Sequence, residues 1–86
     1  MSDKETISAY PAVHHIGIVV GHDFAGQAAL VEALAENTVV TALHDGQQSS
    51  RGKYRTLRVS VRVTSRTELD AVDAKLRAVP GVRMLL

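Results

Sequence analysis

The cations of this chain are concentrated in its second half. Residues 51–86 carry nine lysines or arginines against three acids, whereas residues 1–50 carry one cation against six acids. The stretch between positions 46 and 67 contains no acid, and its cations are Arg51, Lys53, Arg55, Arg58, Arg62 and Arg66. A run of one sign is typical either of a solvated strand face or of a surface that binds an anionic ligand, an acidic protein or nucleic acid.

The histidines are the other residues whose type could do chemistry. His14 and His15 are adjacent in a β-branched run, so their side chains are expected on opposite faces of a strand, where they cannot readily chelate one ion. His22 and His44 show no metal-ligand spacing, and the chain has no cysteine. The serines lack a nucleophile-elbow context. We therefore expect no metal, no cofactor and no catalytic residues.

One stretch suits a small ligand. Residues 20–26 link a predicted strand to a predicted helix, and glycines there allow close backbone approach, while helix-start amides attract a carboxylate or phosphate. The candidate ligand-binding residues are Gly21, His22, Asp23, Phe24 and Gly26. The alternative is an ordinary turn in which Asp23 caps the helix.

The elements that position these residues follow from hydrophobic periodicity. Residues 53–64 alternate apolar and polar side chains, which predicts a half-buried strand. Further strands are predicted at residues 13–20, 39–44 and 82–86, with a polar loop at residues 45–52. Helices are predicted at residues 24–36 and from Ser65 to about Ala78, the second one opened by a capping box in which the Ser65 hydroxyl serves the Glu68 amide and the Glu68 carboxylate serves the Ser65 amide.

The predicted order is strand, helix, strand, strand, helix, strand. With right-handed crossovers this order gives an α+β, ferredoxin-like βαββαβ sandwich, in which two helices cover one face of a four-stranded antiparallel sheet. The first and third strands should be central. We expect one such domain at residues 10–86, preceded by a flexible N-terminal segment at residues 1–9.

The other face of this sheet would be open and cationic. The alternation places five candidate partner-binding residues there: His15, Tyr54, Arg58, Arg62 and Arg83. Sheets of this topology that bind RNA stack bases on aromatic side chains of the central strands, and this face offers only Tyr54. The face therefore fits an acidic protein surface or a second copy of the chain better than nucleic acid.

Composition limits the setting. The 86 residues are 45% hydrophobic and 22% charged, which is the mix of a globular domain. The apolar runs are far shorter than the roughly 20 residues of a membrane span, and the first residues lack the apolar core of a signal peptide. Together with the absence of cysteine, this predicts a cytoplasmic protein with no membrane partner.

Two motifs in the second half resemble a known family. Ser49-Ser50-Arg51-Gly52-Lys53-Tyr54 and the ending Val82-Arg83-Met84-Leu85-Leu86, together with Tyr10-Pro11 before the first strand, closely resemble the YbeD-like family of small bacterial proteins of unknown function. The resemblance spans residues 10–86. It implies a ferredoxin-like domain similar to the ACT regulatory domains of amino-acid metabolism.

A second resemblance concerns the loop. Asp23-Phe24-Ala25-Gly26 is similar to the Asp-x-x-Gly helix start of ACT domains, which implies contact with an amino-acid effector at a subunit interface. The main prediction is a non-catalytic regulatory or protein-interaction module that acts through an unidentified protein partner or self-association. The alternatives are a sensor of an amino acid or other carboxylate and, third, nucleic-acid binding.

Overall fold

The computed structural model describes residues 10–48 and 52–86. Its elements are β1 (Ala12–Gly21), α1 (Gln27–Ala33), β2 (Thr38–Gln48), β3 (Tyr54–Val63), α2 (Arg66–Arg77) and β4 (Val82–Leu85). The strands form one antiparallel sheet in the order β2-β3-β1-β4. The predicted ferredoxin-like fold and its central first and third strands are confirmed. The predicted flexible segment at residues 1–9 lies outside the described residues.

The core lies between the helices and one face of the sheet. In β3, alternate side chains are almost fully buried, namely Leu57, Val59, Val61 and Val63, as the period of two predicts. They pack in one cluster with Leu30 and Leu34 from the α1 side and with Val72 and Leu76 of α2. None of the described helices is long and apolar enough to cross a membrane.

The start of α2 follows its sequence signal, with one difference. Ser65 Oγ accepts a hydrogen bond from the Glu68 amide at 3.0 Å, as predicted. The Glu68 carboxylate, however, accepts from the Thr64 amide at 2.7 Å and the Thr64 hydroxyl at 3.0 Å, not from the Ser65 amide. The Thr64 amide, more than the Thr64 hydroxyl, lowers the pKa of the Glu68 carboxyl, because both stabilise its ionised form.

The predicted start of the first helix is wrong. α1 begins at Gln27, its N-cap residue is Gly26, and no side chain caps it, so Asp23 is not the cap. The Phe24 amide instead donates to the Gly21 carbonyl at 3.0 Å, which closes a turn before the helix begins. The predicted loop at residues 45–52 also starts too early, because β2 continues to Gln48. The last part of that loop, residues 49–51, lies outside the described residues.

Candidate functional site

The register of the central strands brings the predicted partner-binding residues onto one face. β1 and β3 are antiparallel, with Val13 opposite Arg62, His15 opposite Ser60 and Gly17 opposite Arg58. Opposite residues in an antiparallel pair share a face. Because Leu57 and Val59 point at the helices, Arg58 and Ser60 point away from them.

β2 extends the same face on one side. His44 lies opposite Arg58, and Thr38 lies opposite Arg62. A Cβ atom on Gly46 would lie 2.9 Å from both Cγ and Nε of Arg58, so this arginine lies across the backbone of β2. Glycine at position 46 thus leaves room for the guanidinium on the open face.

β4 extends the face on the other side. The Arg83 guanidinium lies 5.7 Å from the centre of the Tyr54 ring, a cation–π distance. Met84 lies opposite Val19, and the Leu86 amide donates to the Gly17 carbonyl at 2.7 Å. Met84 and Leu86 are 49% and 64% exposed, so this side of the face is apolar beside its cations.

The charge of the open face has one sign. Among the described strand residues that point away from the helices, the charged side chains are Arg58, Arg62 and Arg83, and no aspartate or glutamate accompanies them. Asp45 pairs with Leu57 on the helix side, where its carboxylate contacts Arg55 at 3.4 Å. The open face therefore favours an anionic partner.

Sequence reasoning missed a side-chain pair at the centre of this face. His15 Nδ1 and Ser60 Oγ are 2.7 Å apart and share a hydrogen bond. Ser60 points away from the helices, as alternation in β3 requires, but it is only 6% exposed. The pair resembles a nucleophile and a base, but a Ser60 hydroxyl this deeply buried is poorly placed to attack a substrate. It fixes the His15 ring on the face. The His15–Ser60 contact can be predicted only from the β1–β3 register, which alternation within each strand does not give.

The predicted ligand loop lines a cavity at one end of the sheet. The cavity has a volume of about 300 Å³ and is lined by Gly21, Asp23, Phe24, Gly81, Val82 and Arg83. His22 and Gly26 do not line it. The His22 amide donates to the Lys53 carbonyl at 3.0 Å, which continues the β1–β3 pairing by one residue.

The Phe24 ring explains the glycine at position 26. A Cβ atom on Gly26 would lie 2.7 Å from Cζ of Phe24, and one on Gly81 would lie 2.8 Å from Cδ1 of the same ring. Such distances are too short for any side chain, so the ring is held between two glycines. The close approach allowed by Gly26 is therefore to Phe24.

Arg55 holds this loop from the helix side. Its guanidinium donates to the Phe24 carbonyl at 2.7 Å and to the Asp45 carboxylate at 3.4 Å, and its side chain is 18% exposed. Although it belongs to the basic run of the sequence, Arg55 is thus a structural residue and not part of the open face. Within residues 10–48 and 52–86, no three histidine, aspartate or glutamate side chains come together as metal ligands.

The strand order and the single helix layer define a ferredoxin-like domain. The chain belongs to the family described as protein of unknown function (DUF493), whose model matches residues 5–86. This agrees with the predicted YbeD-like, ACT-like family. The search of curated proteins found no match.

Two solved structures share the fold. The solution structure of protein HP0495 from H. pylori has a TM-score of 0.68 and 19% identity, and the match covers 90% of this chain and 82% of that one. The crystal structure of the ACT domain from GTP pyrophosphokinase of Chlorobium tepidum has a TM-score of 0.65 and 19% identity, and the match covers 86% of this chain and 94% of that one. At this identity the similarity establishes the fold alone.

Proposed function

We propose that the protein is a non-catalytic, cytoplasmic regulatory module that binds an acidic protein surface over the open face of its sheet. The observation that carries this proposal is the sign of the charge: Arg58, Arg62 and Arg83 share a face with no acidic side chain on its described strand positions. The exposed Met84 and Leu86 add apolar area beside the cations. Charge selects the partner and speeds association, while apolar area stabilises the complex.

Charge reversal on the open face is expected to abolish binding to an acidic chain. The probe is polyglutamate, titrated into labelled protein and followed by amide NMR shifts. Each reversal replaces an attraction by a repulsion, so Arg58→Glu/Arg62→Glu should weaken binding by roughly tenfold or more. Shifts should cluster on β1 and β3 in the unchanged protein and weaken steeply with salt.

The matched variants Arg62→Glu and Lys53→Glu distinguish the effect of charge on the open face from the effect of net charge on binding. The two variants carry the same net charge, and both positions are exposed. Lys53 precedes Tyr54 in the strand pairing, so its side chain alternates to the side away from the open face. Only Arg62→Glu should weaken binding. Equal losses of affinity in the two variants would mean that polyglutamate binding depends only on the total charge of the protein, and the proposal would fail. Tighter binding of single-stranded RNA than of polyglutamate would also overturn it.

A second function is supported by the cavity at the end of the sheet. The residues that line this cavity include one acid, Asp23, and one base, Arg83. An amino acid carries the complementary ammonium and carboxylate groups. On this proposal the protein senses an amino acid or another small carboxylate, and a volume of about 300 Å³ suits a ligand of that size.

Removal of either charge should weaken such a ligand. In an amide NMR titration with pooled amino acids, saturable shifts are expected at Gly21, Asp23 and Arg83. Asp23→Ala and Arg83→Gln should each reduce the affinity by roughly tenfold, because each removes one charge-assisted hydrogen bond. Gly26→Val is a poor test, because its side chain would collide with Phe24. Unchanged affinity in both folded variants would exclude the sensor.

A further inference from the structure

The first half of β1 lacks a neighbour on one side. β4 pairs with β1 only at Ile18, Val19 and Val20, and Leu86 continues this pairing to Gly17. Residues 12–16 pair with β3 on their other side. Among residues 10–48 and 52–86, no strand lies along the remaining edge of residues 12–16.

The main-chain groups of that edge can be assigned. In an antiparallel strand the N–H and C=O of one residue point to the same side, and those of the next residue point to the other. The Gly17 amide and carbonyl bond to Leu86, whereas the His22 amide bonds to Lys53 on the β3 side. The main-chain N–H and C=O groups of the odd-numbered residues of β1 therefore point toward the β4 side. The N–H and C=O groups of Val13 and His15 face the unoccupied edge.

A groove runs along this edge beneath α2. Its volume is about 370 Å³, and it is lined by His14, His15, Ile16, Leu69, Leu85 and Leu86 together with Arg66, Asp70, Asp73 and Arg77. The four charged side chains of α2 are paired within the helix, at 3.1 Å for Arg66 with Asp70 and 2.8 Å for Arg77 with Asp73. The helix wall therefore has no net charge. The apolar part of the lining is Leu69 on the helix and Ile16, Leu85 and Leu86 on the sheet, beside His14 and His15.

The free edge of residues 12–16 and the groove beneath α2 together form a notch. We propose that this notch binds an extended segment of the protein partner, which adds to β1 as a strand in line with β4. An extended polypeptide supplies donors and acceptors at the spacing of Val13 and His15. Its alternate side chains point in opposite directions. One set would meet Ile16 of β1 and Leu69 of α2 inside the groove and should be apolar. The other set would lie on the open face beside His15 and near Arg62, where charge complementarity requires acids.

The acidic half of this proposal rests on the proposed function, whereas strand addition rests on the edge. The probe is a short capped peptide of alternating glutamate and valine. Hydrogen exchange of labelled full-length protein, read by NMR, is expected to show fast exchange at Val13 and His15 and slow exchange at His14 and Ile16, which pair with β3. Added peptide should slow exchange at Val13 and His15 by roughly tenfold or more.

Two control peptides separate the contributions. N-methylation of alternate peptide amides removes main-chain donors without changing side-chain charge, and it should abolish the protection. If the N-methylated peptide still shifts the amide NMR signals of Arg58 and Arg62 as strongly as its parent, the proposal of strand addition fails and that of an acidic partner stands. If a peptide of alternating lysine and valine protects Val13 and His15 equally, strand addition stands and the acidic partner fails.

Val13→Pro tests the edge from the protein side. The Val13 amide points into the notch, so proline there removes a donor that β3 does not use and fills the space of the added strand. The variant should stay folded and bind the glutamate–valine peptide roughly tenfold more weakly, whereas Val13→Thr should bind normally. Slow exchange at Val13 and His15 without peptide would overturn the proposal. If that protection depends on protein concentration, a second copy fills the notch; if not, the chain's own residues do.

Discussion

Gly81→Ala, which adds a single methyl group, should lower the free energy of unfolding by roughly 2–4 kcal/mol. Two causes add. Gly81 has a φ of +96°, which a side chain disfavours, and its Cβ would lie 2.8 Å from Cδ1 of Phe24. The positive φ belongs to a turn in which Pro80 precedes Gly81 and the Val82 amide donates to the Val79 carbonyl at 3.2 Å. Urea unfolding followed by circular dichroism measures the loss.

Gly52→Ala is the matched control. Gly52 also has a positive φ, +69°, but no described atom lies within 4 Å of the position that its Cβ would take. This substitution should therefore cost only the backbone preference, roughly 1 kcal/mol. The difference between the two variants isolates the contact with Phe24. If Gly81→Ala costs no more than Gly52→Ala, the ring does not pack against Gly81.

The same ring explains why the start of α1 could not be predicted. The sequence offers Asp23 as a cap, and the local signal is a good one. Phe24 instead leaves the helix and places its ring between Gly26 and Gly81, residues that are far apart in the chain. Arg55 then fixes the Phe24 carbonyl from β3. These are tertiary contacts, which no pattern within residues 20–26 indicates.

The strands were more predictable because their signal is local. Alternation in β3 shows which side chains meet the helices, and the order of elements then requires the observed sheet. The cationic open face follows from the same alternation, so the sequence alone assigns Arg58 and Arg62 to that face. Pairing between strands could not be predicted to the residue. The His15–Ser60 contact and the notch beside Val13 both depend on that register.

Leu76→Ala is expected to remove much of the stability of the domain. Leu76 lies on α2, is fully buried, and belongs to the core cluster that joins this helix to the sheet. Loss of the leucine side chain from such a site costs roughly 2–5 kcal/mol, since the cavity left behind closes only in part. A domain of this length has roughly 4–13 kcal/mol in total. Thermal unfolding followed by circular dichroism should show a much lower midpoint.

Val31→Ala on α1 is the control, because its side chain is 57% exposed. It should change the free energy of unfolding by less than roughly 0.5 kcal/mol. The contrast has a functional consequence, because α2 is also the wall of the notch beside β1. Leu76→Ala should therefore weaken binding of the glutamate–valine peptide even at a temperature where the variant is folded, whereas Val31→Ala should not. Equal peptide affinity in the two folded variants would show that the packing of α2 at Leu76 does not control the notch.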